Sequence, residues 1–162
     1  MDMAGTWDVQ QRMWPSPGAA AIELPPAVAQ RQVVQGLYVQ EVMQSADGGS
    51  SQAPAFTRHA TLNFNPVTRQ YEYASLDSRA PQLMVERGQL PQATSGGQAL
   101  QLQGGTFLAP EWGTLKNVRF SYRLALGAVV QGKQWVKLYL TPLSVLPKKE
   151  FLAFEYVYSK KT

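Results

Sequence analysis

The chain has 162 residues, 44% of them hydrophobic and 16% charged, which predicts a single domain over residues 1–162 with its own core. It contains no cysteine, which excludes disulfides, thiolate metal sites and cysteine nucleophiles. The formal net charge is +4, and no apolar run approaches the ~20 residues of a membrane-spanning helix. We expect a soluble domain without a membrane span. Residues 1–5 lack the regions of a signal peptide, so the compartment stays open: cytoplasm as written, periplasm if a leader has been removed.

Ten segments of the sequence alternate apolar and polar side chains, and Gly, Pro, Asn, Asp and Ser residues separate them. A period of two is typical of β-strands, in which successive side chains point to opposite faces. Residues 27–35 combine Ala and Gln, which suit a helix, with Val33 and Val34, which favour the strand that we assign. In chain order, the predicted strands are Thr6–Trp14, Gln30–Gln35, Leu37–Gln44, Phe56–Phe64, Gln70–Asp77, Gln82–Leu90, Ala99–Gln103, Asn117–Leu126, Gln134–Thr141 and Glu150–Ser159.

Short connections join most of these strands, which predicts an antiparallel meander. A meander leaves no exposed edge when it closes into an up-and-down barrel. The predicted fold class is therefore all-β, as a single antiparallel up-and-down barrel of about eight to ten strands. A two-sheet sandwich would give the same alternation and is the main alternative, although sandwiches usually contain longer Greek-key connections.

Basic residues are concentrated in the last third of the chain, where residues 112–162 contain nine Lys and Arg but two Asp and Glu. Along the predicted strands they alternate with apolar residues, as on the solvent side of a barrel wall. A nucleic-acid interface needs basic side chains clustered with exposed aromatic rings. We therefore expect no nucleic-acid partner, while an anionic small molecule stays open as a ligand.

Alternation assigns a set of polar and aromatic side chains to the inner face of the predicted barrel: Trp7, Glu41, Arg58, Tyr71, Tyr73, Ser75 and Asp77. A buried carboxylate needs a partner, because an unpaired charge in a low-dielectric cavity costs several kcal/mol or shifts its pKa. Arg58 is the expected partner for such carboxylates. For Glu41 and Asp77, a solvent-facing position and a ligand contact remain alternatives.

His59 is the one histidine of the chain, and it lies on the polar Thr57/Thr61 face of its predicted strand. A metal site or a Ser/His/Asp triad would depend on this residue alone. A surface position is typical of such a face. We therefore expect no metal, no haem and no other cofactor.

A set of short motifs follows in chain order: Gly5-Thr6-Trp7, the segment Gly36–Val42, Asn63-Phe64-Asn65 before Tyr71 and Tyr73, Ser75-Leu76-Asp77-Ser78, and Gly88. Through this set the chain resembles the bacterial domain-of-unknown-function 1579 family, from Gly5 to Lys160. Members of that family are lipocalin-like, calycin-type β-barrels. The resemblance implies a fold and no established activity.

Several positions depart from the family pattern, and Ser75 is the most informative of them. The family often has a tryptophan at this place in its strand, so Ser75 would leave the lumen more open or more polar. The resemblance also implies that the first and last strands pair. This pairing would place Lys160 or Lys161 across the indole of Trp7 and close the barrel.

These features predict non-catalytic binding of a small, partly apolar molecule in the barrel lumen, since aromatic walls with a few polar groups suit such a ligand. One alternative is a small isomerase, cyclase or hydrolase that uses Glu41, Tyr73 or Asp77 for acid–base chemistry. Another is a protein-interaction module that uses the glutamine-rich outer strands. The ligand, any reaction and the oligomeric state stay open.

Overall fold

The computed structural model describes residues 3–49, 54–90, 99–146 and 148–162, and the regular elements within them are all β-strands. The predicted all-β class is confirmed. In chain order the strands are β1 (Gly5–Met13), β2 (Ile22–Val34), β3 (Tyr38–Ser45), β4 (Thr57–Asn65), β5 (Gln70–Asp77), β6 (Ala80–Gly88), β7 (Leu100–Trp112), β8 (Leu115–Leu126), β9 (Lys133–Pro142) and β10 (Phe151–Lys160).

The strands form one closed antiparallel barrel with up-and-down order. The ring closes between β1 and β10, whose register runs from Trp7 opposite Lys160 to Met13 opposite Phe154. Closure pairs the backbone N–H and C=O groups that the edges of an open sheet would expose. The up-and-down barrel is therefore confirmed over the two-sheet sandwich. Within the described residues, no helix is long and apolar enough to cross a membrane.

The second strand begins earlier than the alternation predicts, at Ile22 rather than at Gln30. Proline donates no ladder hydrogen bond and argues against a strand, but Pro25 and Pro26 lie beside a register shift in the pairing of β2 with β1. There the side chain of Gln11 donates from Nε2 to the carbonyl oxygen of Pro25 at 2.8 Å. This local irregularity lets the strand continue through two prolines.

The seventh strand is also longer than predicted, since it ends at Trp112 rather than at Gln103. The pair Gly104-Gly105, which suggests a break in the sequence, forms a register shift within the strand instead. A Cβ atom on Gly104 would lie 1.9 Å from the ring of Tyr122. Glycine is therefore needed where this ring crosses the strand. The remaining predicted strands differ from the observed ones by at most two residues at either end.

The seam between β6 and β7 depends on this tyrosine. Among the described residues, the two strands share a single Cα pair, Arg87 opposite Gln103. The hydroxyl of Tyr122 on β8 accepts a hydrogen bond from the Val85 backbone N–H at 3.3 Å and donates to the Val85 carbonyl at 3.4 Å. A side chain thus supplies contacts that a full β6–β7 ladder would otherwise make.

The barrel has a closed end, where β1 begins and β10 ends, and an open end, where β1 ends and β2 begins. At the closed end, Trp7 is fully buried in an apolar cluster with Ala29, Met43 and Tyr158. A second apolar cluster, around Phe120, packs between β7, β8, β9 and β10 towards the open end. The first cluster also extends along the barrel to residues such as Phe56 and Leu124, which line the candidate site.

Candidate functional site

A cavity of about 520 Å³ enters the barrel from its open end. Its rim comes from β2, the β3–β4 connection and the β5–β6 turn, and its walls come from inward-facing side chains of the strands. A volume between ~300 and ~1,000 Å³ with apolar walls is typical of small-molecule sites. Most of the lining is apolar: Met13, Leu24, Pro25, Pro26, Pro54, Phe56, Ala80, Met84, Trp112, Leu124, Leu138 and Phe154.

A buried cluster of charged side chains forms the floor of this cavity. Glu41 accepts a hydrogen bond from Arg31 Nε at 2.6 Å and another from Arg58 Nη1 at 2.8 Å. The hydroxyl of Tyr158 donates to the same carboxylate at 3.2 Å, and Arg31 Nη1 donates to Gln134 Oε1 at 2.6 Å. Arg58 lines the cavity, whereas Arg31 and Glu41 line a small void of about 20 Å³ on the other side. We call this group the floor cluster.

The strand register explains how the floor cluster forms. On the inner face, Arg31 of β2 lies directly opposite Glu41 of β3. Arg58 of β4 lies opposite Met43, one inward position nearer the open end, and reaches back to the carboxylate. The three charged side chains are at most 7% exposed. Removing water from such charges is costly, so each depends on the others for compensation.

Tyrosine rings surround the two arginines. The guanidinium carbon of Arg31 lies 4.0 Å from the ring centre of Tyr158, and Arg58 donates a hydrogen bond from Nη2 to the hydroxyl of Tyr73. Burial raises the pKa values of Tyr73 and Tyr158. Both hydroxyl groups therefore stay protonated at neutral pH and act as hydrogen-bond donors and acceptors rather than as bases.

Glu86 on β6 differs from the other charged groups because one of its oxygens has no partner. Its side chain lines the cavity and is 1% exposed, and Oε2 makes no hydrogen bond with a described residue. Its cross-strand neighbour on β5 is Tyr73. Burial raises the pKa of Glu86 to about 7, against the opposing effect of the Arg58 charge. A carboxyl group that titrates near neutral pH thus stands in the cavity wall.

An ion pair lies at the rim of the cavity. Arg79 donates to both oxygens of Asp77, from Nε at 2.9 Å and from Nη2 at 2.6 Å, and its Nη1 donates to Gln11 Oε1 at 3.1 Å. The guanidinium carbon lies 3.6 Å from the ring centre of Phe56. Burial alone would raise the pKa of Asp77, but the hydrogen bonds from Arg79 outweigh it and lower the pKa. Asp77 is therefore held as a carboxylate.

The structure brings four of the predicted site residues to the cavity: Arg58, Tyr73, Ser75 and Asp77. Ser75 is 8% exposed and lies opposite Met84 on β6. Its small side chain leaves space in the wall that a larger residue would occupy. Arg58 is bound to Glu41, whereas the ion-pair partner of Asp77 is Arg79.

The other predicted residues lie outside the lining of the large cavity. Glu41 lies within the floor cluster, and Tyr71 packs against Phe64 with ring centres 5.0 Å apart. Trp7 lies at the closed end, where Lys160 Nζ is 5.7 Å from its ring centre. A ligand-binding role for Trp7 and Tyr71 stays a prediction, while their packing in the barrel is visible.

Three residues of the site were not singled out by the sequence: Arg31, Arg79 and Glu86. Arg31 continues the inward Ala27 and Ala29 face of β2, so alternation could have found it. For Glu86, alternation is misleading, because its strand also contains Leu83, which is 63% exposed on the outer face. Only the pairing with Tyr73 assigns Glu86 to the interior.

Among the described residues, no group of three or more His, Cys, Asp or Glu side chains is placed to hold a metal ion. His59, the candidate that the sequence offers, is exposed on the outer face of β4.

Residues 1–124 match the family model described as protein of unknown function, DUF1579. The chain belongs to this family. The matched region includes the strands that carry the floor cluster arginines, Glu41 and Glu86. The closed antiparallel barrel of this DUF1579 family member is consistent with a lipocalin-like fold. No curated protein matches the chain significantly.

Proposed function

We propose that this protein binds a small, largely apolar molecule in the cavity at the open end of the barrel, without converting it chemically. The cavity itself carries the proposal, because it combines a volume of about 520 Å³ with mostly apolar walls. Each Å² of apolar surface that such a ligand buries contributes about 25 cal/mol. The floor cluster beneath the cavity limits how far the ligand can enter the barrel.

The contacts of Glu41, Asp77 and Tyr73, the residues that the sequence offers for acid–base chemistry, do not favour that role for them. A general base needs a lone pair within hydrogen-bond reach of its substrate. Glu41 already accepts hydrogen bonds from two arginines and a tyrosine, and Asp77 is occupied by Arg79. Tyr73, the third residue that acid–base chemistry would use, accepts a hydrogen bond from Arg58 and has a raised pKa because it is buried.

The proposal is tested by blocking the cavity with one side chain. In Ser75→Trp, the indole would project into the space that Ser75 leaves in the wall. In the matched control, Leu76→Trp, the same indole replaces the next residue of β5, which is 45% exposed on the outer wall. The probe is Nile red, an uncharged fluorophore whose emission changes on entering an apolar site, and decanol is the competitor.

We expect saturable Nile red binding to the unmodified protein and displacement by decanol. Ser75→Trp should weaken binding at least about tenfold, corresponding to about 1.4 kcal/mol, while Leu76→Trp should leave it unchanged. Circular dichroism checks that both variants are folded. Equal binding by folded Ser75→Trp, or equal loss in both variants, would place the fluorophore outside the cavity and contradict the proposal.

A further inference from the structure

We infer that the ligand of this cavity is a carboxylic acid with an apolar body, whose carboxylate is bound at the floor by protonated Glu86 and by the positive charge of Arg58. The inference rests on the proposed function and names the chemical class of its ligand. Three observations support it: an unpartnered oxygen, an excess of buried positive charge, and apolar walls above both.

The first observation is the unpartnered Oε2 of Glu86. Buried polar atoms in native proteins are nearly always hydrogen-bonded, because leaving one without a partner loses the interaction that water would provide. Here the side chain is 1% exposed, lines the cavity, and leaves Oε2 without a partner among the described residues. The hydroxyl of the neighbouring Tyr73 accepts a hydrogen bond from Arg58 and makes none with Glu86 Oε2. A ligand group at the floor would complete this hydrogen bond.

The second observation is the balance of charge around the floor. Arg31 and Arg58 share one carboxylate, that of Glu41. At the rim, Asp77 and Arg79 neutralise each other. When Glu86 carries its proton, the buried groups therefore hold one positive charge in excess. A guanidinium group keeps its charge at every physiological pH, so the excess persists until an anion enters or Glu86 releases its proton.

Together these observations favour an acid over an alcohol or an amine. A protonated Glu86 donates a hydrogen bond to a ligand carboxylate, and a hydrogen bond to an ionised acceptor is roughly twice as strong as one between neutral groups. The ligand charge also balances that of Arg58. An alcohol would leave the positive charge unbalanced, and an amine would add a second one. The mostly apolar lining then accommodates the body of the acid.

A pH dependence follows, because Glu86 must carry the proton in the complex. The ionisable groups that line the cavity with it are Arg58 on β4, Tyr73 and Asp77 on β5, Tyr156 on β10 and, at the rim, Arg79 and Asp47. Hydrogen bonds from Arg79 hold Asp77 as a carboxylate. Burial raises the pKa values of both tyrosines, so they stay neutral. The adjacent strand β7 carries one ionisable residue, Glu111, whose side chain is 74% exposed at the open end. Glu86, with a pKa of about 7, is thus the group that titrates.

The test compares decanoate, decanol and decylamine by isothermal titration calorimetry at about pH 6.5 and about pH 8.5, where an aliphatic carboxyl with a pKa of about 4–5 stays ionised. The proteins are the unmodified chain, Glu86→Gln, and the matched control Glu111→Gln. The first variant keeps a donor in the wall but removes the titration. The second makes the same change of net charge on the outer surface.

We expect decanoate to bind the unmodified protein more tightly than decanol or decylamine at about pH 6.5, and to lose about 25-fold in affinity by about pH 8.5. Glu86→Gln should bind decanoate equally well at both values, and Glu111→Gln should behave like the unmodified protein. Tighter binding of decanol or decylamine, a decanoate affinity that is independent of pH, or an unchanged pH dependence in Glu86→Gln would each overturn the inference.

Binding of decanol without decanoate would leave the proposed function standing, whereas the failure of all three compounds and of Nile red would refute both.

Discussion

The carboxyl of Glu86, with its unpartnered oxygen, makes the stability of the protein depend on pH. The free energy of unfolding falls as this carboxyl ionises. In the unfolded chain Glu86 releases its proton near the ordinary pKa of 4.5, but in the barrel burial raises the pKa to about 7. Between these values the folded state holds more protons than the unfolded state, so the free energy of unfolding decreases as pH rises and levels off above about pH 7. At about 1.4 kcal/mol per tenfold change in an ionisation constant, the full effect is about 3 kcal/mol.

Glu86→Gln removes this effect while keeping the shape of the side chain. We expect the variant and the unmodified protein to differ little in free energy of unfolding at about pH 5, and the variant to be more stable by about 2–3 kcal/mol at about pH 8. Urea unfolding followed by tryptophan fluorescence measures both. Groups with lowered pKa values, such as Asp77, are ionised in both proteins and cancel in the comparison. A difference that stays constant with pH, or a less stable variant at high pH, would refute the assignment of a buried, unpartnered carboxyl.

Three further predictions concern the floor, the closure and the β6–β7 seam, and each is checked by urea unfolding. Glu41→Gln should cost about 3–5 kcal/mol, because two buried arginines lose their carboxylate; a loss below about 1 kcal/mol would mean that water reaches the floor. Trp7→Ala should lower the free energy of unfolding by about 3–5 kcal/mol, because the buried indole is lost. Lys160→Ala should lower it by at most about 2 kcal/mol, because it removes the cation above the indole. A larger loss in Lys160→Ala than in Trp7→Ala would contradict the packing described. Gly104→Ala should cost about 1–3 kcal/mol by displacing the ring of Tyr122, and an unaffected variant would show that the ring does not cross the strand there.

Most of the fold could be predicted from the sequence because a period of two is preserved wherever one face of a strand is buried. The limits of β5, Gln70–Asp77, agree with the observed ones at both ends. The errors lie where a tertiary contact overrides a local signal. Prolines at 25–26 and glycines at 104–105 are typical of breaks between strands. Yet β2 continues through the two prolines beside a register shift, and β7 continues through the two glycines, where the ring of Tyr122 from β8 crosses it.

The candidate site was predictable where an inward polar residue interrupts an apolar face, as for Arg58, and where polar and aromatic residues share one face, as for Tyr73 and Ser75. It was not predictable where both faces of a strand carry apolar residues. On β6 the exposed Leu83 and the buried Glu86 reverse the usual pattern, because the wall there faces a cavity rather than a packed core. Strand register also decides which charged residues meet inside the barrel and how deep they lie. The sequence of one strand does not contain this register.

The central claim, that a ligand occupies the cavity at the open end, is tested most directly by the methionine methyl groups. Met13 and Met84 line the cavity, whereas Met43 is fully buried outside the cavity lining and Met3 lines the small void beyond the floor. In ¹³C-methyl NMR spectra, assigned by Met→Leu substitutions, decanol should shift the Met13 and Met84 signals together to saturation and leave those of Met3 and Met43 unchanged. Shifts confined to Met3 and Met43, or no saturable shift at Met13 and Met84, would contradict the claim.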